Sequence, residues 1–197
     1  MPRTIFVFSA ASGAGKTTLM NRVMPNFPNI VYSVSATTRK PRAGEIDGEH
    51  YFFKTEEEFK EMIEKNELVE WNKVHNNYYG TPKFFIEQKL AEGVDVALDL
   101  DVFGKTNFDK VYPQAIGILI LPPSIEELEK RLQLRKTETE ETLKLRIKNA
   151  KKEIDFALAK GKYQHVIYNG DLETAADELK GIIEKYSSLK SSIQSGS

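Results

Sequence analysis

The stretch Ile5-Phe6-Val7-Phe8-Ser9-Ala10-Ala11-Ser12-Gly13-Ala14-Gly15-Lys16-Thr17-Thr18-Leu19-Met20 decides the fold of this chain. Its first four residues are consecutive apolar side chains, aromatic and β-branched, which suits a strand buried on both faces of a parallel sheet. Small residues and glycines follow, and Lys16 to Met24 reads as a helix that stops before Pro25. Between strand and helix, Ala10 to Thr17 meets the phosphate-loop spacing G-x-x-x-x-G-K-[ST] at every fixed position except the first, where Ala10 replaces glycine. The residue types match what a bound phosphate needs. Ser12, Gly13, Ala14 and Gly15 are small enough for successive backbone N–H groups to turn inward, and the helix start adds partial positive charge. Lys16 reaches the β/γ oxygens of a nucleotide such as ATP, Thr17 offers a hydroxyl to Mg2+, and Thr18 at the helix start joins the ATP-binding set. Ala10 directly continues the strand, so an extended backbone is expected there, where a methyl group carries no steric cost.

Working outward, three further segments carry the apolar strand signal: 94–98, 116–121 and 165–168. Helices are expected over 83–92, 125–134, 140–160 and 172–189, with capping-box spacings at Ser124-Ile125-Glu126-Glu127 and Thr55-Glu56-Glu57-Glu58. Strands alternating with helices imply an α/β domain with a mainly parallel sheet flanked by helices. Between Val31 and Tyr79 the texture changes: short strands at 31–36, 51–53 and 69–74, broken by the loop Arg39 to Gly44, suggest an inserted mixed lobe. The polar segment from Arg135 to Arg146 joins two helices and reads as a flap. From Ser187 the chain is serine-rich and reads as a frayed tail.

Composition narrows the function. At 197 residues the chain is expected to be one domain, and zero cysteines exclude disulfides, thiolate metal sites and cysteine nucleophiles. With 28 Lys+Arg against 29 Asp+Glu, the net charge of −1 argues against a nucleic-acid or anionic-membrane coat, which needs a marked basic excess. No apolar run approaches the roughly 18–20 residues that span a bilayer, and the run 5–11 lacks a signal-peptide pattern. The expectation is a soluble, cytoplasmic protein that meets anions locally.

Arg39 and Arg42 flank Pro41 on a loop, and the hydroxyls of Tyr51 and Tyr79 lie near glycines in the same lobe. Planar guanidinium forks with neutral phenol donors suit a phosphate monoester, although a solvated basic loop with two core tyrosines has the same sequence. Asp99 and Asp101 follow an apolar strand at its C-terminal end, where ligands of open α/β sheets gather. Two acids there call for a metal or an arginine nearby. None of His50, His75 and His165 falls in a motif, and all three read as structural or surface groups.

Behind the phosphate loop come Ser33-Val34-Ser35-Ala36-Thr37-Thr38-Arg39-Lys40-Pro41-Arg42-Ala43-Gly44-Glu45, then Asn77-Tyr78-Tyr79-Gly80-Thr81 and Leu98-Asp99-Leu100-Asp101-Val102. In this order, with the Arg135 to Arg146 flap and Tyr168-Asn169, the chain resembles guanylate kinase over nearly its whole length. The resemblance implies a P-loop kinase core (1–33, 82–125 and 160–190), a GMP-binding lobe over about 34–81 and a helical lid over about 126–159. It assigns Ser35, Glu70, Thr81 and Asp101 to the guanine, and Arg39, Arg42, Tyr51 and Tyr79 to the GMP phosphate. Arg39, Arg135 and Arg146 would act on the transferred group, with Arg131 a further candidate. Asp99 would help position Mg2+, with Thr17, or the nearby arginines, and Asn169 would lie near the adenine. The implied reaction is Mg-dependent transfer of the γ-phosphoryl group of ATP to GMP, with dGMP alongside, in purine nucleotide metabolism. Lys136 departs from the pattern, which has glycine after the arginine. The alternative is a catalytically inactive guanylate-kinase-like module that binds partner peptides, a class that typically lacks the phosphate-loop lysine kept here as Lys16.

Overall fold

The computed structural model describes residues 3–74, 76–134 and 140–187. Arg135, Lys136, His75 and the serine-rich tail from residue 188 lie outside them. The strands are β1 (Ile5–Ala10), β2 (Ile30–Tyr32), β3 (Ala36–Thr37), β4 (Phe52–Phe53), β5 (Leu68–Val74), β6 (Asn77–Pro82), β7 (Asp95–Asp99), β8 (Ile116–Leu121) and β9 (His165–Tyr168). The helices are α1 (Lys16–Val23), α2 (Glu56–Glu64), α3 (Lys83–Ala91), α4 (Val102–Val111), α5 (Ile125–Gln133), α6 (Glu140–Lys160) and α7 (Leu172–Tyr186).

Five strands form a wholly parallel sheet in the order β2-β7-β1-β8-β9. The strand β1 is central, which explains its unbroken apolar run. Phe6 and Phe8 pack with Leu19, Val23, Leu179 and Ile183 of α1 and α7, while Ile5 and Val7 pack with Ile86 and Phe108 of α3 and α4. Both faces are covered, so neither set of side chains can be polar. The loops that follow β1 and β7 emerge at the same C-terminal edge of the sheet, where α/β folds gather their ligands.

A second, mixed sheet runs β4-β3-β6-β5 and packs on α2 through Ala36, Phe59, Met62 and Leu68. The Thr55 capping box at the start of α2 is complete in both directions; at α5, Ser124 accepts from the Glu127 N–H. The helices α5 and α6 join Ala11 and Leu121 of the core through Leu128, Leu132, Ala150, Ile154 and Ala157.

The structure corrects the sequence reading in several places. The single strand expected over 31–36 is two: β2 pairs with β7 in the parallel sheet, and after the Ser33 N–H donates to the Ala97 carbonyl the chain crosses to the second sheet as β3. The first helix is followed through Pro25 by one 3-10 turn, because proline at the start of a turn forfeits no hydrogen bond. The last helix ends at Tyr186 rather than 189. Two elements, α4 and β6, had no counterpart in the sequence reading.

The N-terminal edge of the sheet is held by the fully buried carboxylate of Asp95. It accepts from the Thr4 N–H at 2.8 Å and from the Ser187 hydroxyl at 2.7 Å, tying β7 to the residue that leads into β1 and to the end of α7. The Asp95→Ala variant leaves both donors without their acceptor, the Ser187 hydroxyl in a buried position, so an unfolding free energy lower by about 2–4 kcal/mol is expected. Urea denaturation measures this, and a loss below about 1 kcal/mol would show that water or another acceptor serves those donors.

Candidate active site

The phosphate loop runs from the last residue of β1 to the start of α1. Ala10 stays in the strand, paired with Ile120, and its backbone lies outside the left-handed region, so the missing first glycine carries no strain. Gly13 and Gly15 have φ of 90° and 87°, where a side chain would be strained, and Gly15 is the residue that caps α1. A cavity of about 240 Å³ opens over Ser12, Gly13, Gly15, Lys16, Thr17 and Thr18.

Three groups from distant elements brace this loop. The Asn169 side-chain amide donates to the Ala14 carbonyl at 3.0 Å and is buried beneath Gly15, so the residue expected beside the adenine spends that donor on the loop. The Ser12 N–H donates to Glu153 Oε2 at 3.2 Å, and Arg146 Nη2 donates to Ser12 Oγ at 2.9 Å. Arg146 therefore already reaches the loop from α6. Sequence reasoning missed Glu153, whose helical spacing of seven from Arg146 was the available signal. Arg131 ion-pairs Glu127 at 3.2 Å, and its guanidinium stands 3.7 Å from the point a Cβ on Gly15 would occupy.

Lys16 ion-pairs with Asp99, which lies at the C-terminal end of β7. Burial pulls its ammonium down to about 8, opposed by the negative field of Asp101. The structure thus brings Lys16, Thr17 and Asp99 to one edge of the sheet. Among the described residues no group of three or more His, Asp or Glu side chains could hold a metal alone.

A second cavity, of about 250 Å³, is lined by Ser35, His50, Tyr51, Thr81 and Asp99, among others. The rings of Tyr51 and Tyr79 meet edge to face with centroids 6.1 Å apart, and the Arg39 guanidinium lies 5.3 Å from the Tyr51 centroid. Arg39 is held in a fork by Glu45, through bonds of 2.9 and 2.7 Å, and the Arg42 N–H donates to the same carboxylate at 2.7 Å. The bond from Arg39 holds Glu45 down to about 2, so it stays ionised across the physiological range. Arg39 does not reach the phosphate loop here, and Glu45, which orients it, had no role in the sequence reading.

Glu70 reaches the site through a bulge. Leu68 pairs with Pro82 and Trp71 with Gly80, so β5 carries one residue more than β6 between these pairs, and the local bend re-aims what lies there. Glu70 Oε1 accepts from the Thr81 hydroxyl at 2.6 Å. Asp101 caps α4: its Oδ1 accepts from the Phe103 and Gly104 N–H groups at 2.9 and 2.6 Å. Burial pushes the Glu70 carboxyl up; the Thr81 bond opposes this and the Asp101 charge adds to it. Two carboxylates with spare lone pairs suit a base edge that carries two N–H donors.

Of the proposed site residues, only Arg135 lies outside the described set, along with Lys136 and His75 among the other residues the sequence singled out. No helix among the described residues is long and apolar enough to cross a membrane. A family model described as guanylate kinase matches residues 2–186. The guanylate kinase of Caldanaerobacter subterraneus subsp. tengcongensis is 45% identical over 179 residues, 91% of this chain and 85% of its own. That of Shewanella violacea is 46% identical over 180 residues, 91% of this chain and 86% of its own. The crystal structure of guanylate kinase from Anaplasma phagocytophilum superposes with a TM-score of 0.67 at 30% identity, covering 96% of this chain and 89% of that one.

Proposed function

The chain belongs to the guanylate kinase family, and from that premise we propose that it transfers the γ-phosphoryl group of ATP to GMP, giving ADP and GDP. The observation that carries this reading is the pairing of a phosphate loop with two converging carboxylates, Glu70 and Asp101, at one edge of the sheet. The guanine edge offers N1–H and N2–H to acceptors, whereas adenine offers no such pair, so AMP would leave both acceptors unmatched. Ser35 and Thr81 serve the rim of the base, with Thr81 also holding Glu70 in place.

Arg39, Arg42, Tyr51 and Tyr79 hold the GMP phosphate, within a lobe of about residues 34–81. The attacking oxygen belongs to that phosphate and is anionic at neutral pH, so the chain needs no strong general base. Ser12 through Thr18 cradle the triphosphate, Lys16 holds its β/γ oxygens, and Asn169 keeps the loop in shape from below. Arg146 and Arg135, from the lid of about 126–159, neutralise charge on the transferred group. An arginine so used is worth roughly 10³–10⁵ in rate.

Mg2+ fits the donors on hand, the Thr17 hydroxyl and the Asp99 carboxylate, both hard oxygen ligands, with nucleotide phosphates supplying the rest. Bound there, the ion would offset charge on the phosphate oxygens. The peptide-binding alternative is not favoured, because Lys16, Thr17, Arg39, Asp99 and Asp101 are all kept.

The test is ADP release from ATP and Mg2+ in a coupled assay with GMP, dGMP, AMP, CMP or UMP as acceptor. Turnover confined to the guanine nucleotides is expected. Absence of turnover with every monophosphate would favour the binding module.

A further inference from the structure

Gly104 stands in the first turn of α4, where the backbone does not ask for glycine. Its φ lies outside the left-handed region, and glycine is the poorest helix former after proline. The demand comes from above the helix. A Cβ at this position would stand 3.3 Å from Asp101 Oδ1 and 3.3 Å from Glu70 Oε2, closer than ordinary van der Waals contact.

Neither carboxylate can retreat freely. Asp101 Oδ1 is fixed by the two N–H groups of the α4 cap, and Glu70 Oε1 by the Thr81 hydroxyl. Among the described residues no hydrogen bond engages Glu70 Oε2 or Asp101 Oδ2, which leaves one open acceptor on each group. The Glu70 carboxyl carbon lies 3.7 Å from the same Cβ point, so this acid rests directly over the first turn of α4. There the partial positive charge of the helix start supports its ionised form.

We propose that Gly104 is a specificity-determining position for the monophosphate's base. The missing side chain lets Glu70 settle over the helix start, so that its open oxygen and that of Asp101 face one purine edge together. The inference rests on the reading of Glu70 and Asp101 as guanine acceptors. A methyl group at 104 forces the Glu70 carboxylate to shift by a few tenths of an ångström, which stretches its bond to Thr81 and spoils the paired spacing. The helix gains from the same change. Function and stability therefore move in opposite directions, which a packing role for the glycine would not produce.

The experiment compares Gly104→Ala, Gly104→Val and Glu70→Gln with the parent, measuring KM for GMP and for ATP, the GMP to AMP selectivity, and Tm. For Gly104→Ala the KM for GMP should rise about tenfold, the effect of one impaired charge-assisted bond. The KM for ATP should stay within about twofold, and Tm should be equal or higher. Gly104→Val should raise the KM for GMP further, because the larger side chain drives Glu70 farther from Thr81. The proposal is overturned if both Gly104 variants keep the parental KM for GMP and its selectivity. It is equally overturned if Tm falls and both KM values rise together, since the glycine then serves packing. Loss of selectivity in Glu70→Gln beside unaltered Gly104 variants refutes only the role of Gly104; unaltered selectivity in Glu70→Gln refutes the guanine reading itself.

Discussion

Lys16→Ala should lower the turnover of ATP with GMP by about three orders of magnitude, or roughly 4 kcal/mol of transition-state stabilisation, while leaving the fold intact. The lysine opens α1 inside the phosphate loop, where burial makes its charge strongly felt by phosphate oxygens and where few waters compete. Its partner Asp99 is more than half exposed, so removing the ammonium returns that carboxylate to water at little cost to stability. The same residue predicts a pH dependence. With its pKa drawn down to about 8, Lys16 is charged below that value and neutral above it, so the affinity of the free enzyme for ATP should fall as pH rises through about 8. Single-turnover GDP formation and ATP titrations from pH 7 to 9 measure both effects. Near-parental GDP formation by Lys16→Ala would refute the assignment of the triphosphate to this loop.

Glu70→Ala should raise the KM for GMP about 100-fold and remove most of the discrimination against AMP. A hydrogen bond to an ionised acceptor contributes about 1.5–3 kcal/mol, and a site built on such bonds rejects an analogue lacking the donors by roughly 10⁴-fold. Because Glu70 Oε1 also accepts from the buried Thr81 hydroxyl, the truncation leaves that hydroxyl without its acceptor. Some loss of stability should accompany the loss of affinity. The ratio of kcat/KM for GMP to that for AMP separates the two, since a general loosening would weaken both substrates and ATP as well. A ratio equal to the parent's would mean that the base is read elsewhere.

The phosphate loop and the core strands were legible because their signals are local. Four apolar residues, a small-residue turn and Lys16-Thr17 carry their reading without help from distant residues, and the structure has β1 and α1 where that reading expects them. The helix α4 was not legible because its inward stripe, Val102, Lys105 and Phe108, contains a lysine. That ammonium is buried only because Asp109 and the carbonyls of Gly161 and Lys162 accept from it, and the last two lie just past the C-terminal end of α6. A polar residue that owes most of its acceptors to residues more than fifty positions away leaves no trace in local periodicity. The division of 31–36 between two sheets was hidden for a similar reason, since the chain is released where Ser33 finds the Ala97 carbonyl.

Sequence by itself determined the class of fold and the phosphate loop, because each depends on neighbours in the chain or on a motif with fixed spacing, whereas the candidate guanylate residues came only from the resemblance to guanylate kinase. Tertiary structure alone decided which of those residues meet and how each is held. The bulge in β5 and the Thr81 hydroxyl bring Glu70 beside Asp101; Glu45 turns Arg39 into the lobe; Asn169 and Glu153 brace the loop from opposite ends of the chain. Such contacts are set by the directions of side chains on packed elements, which no linear spacing encodes. They also account for a glycine in the first turn of α4 that helix propensity alone would have replaced with alanine.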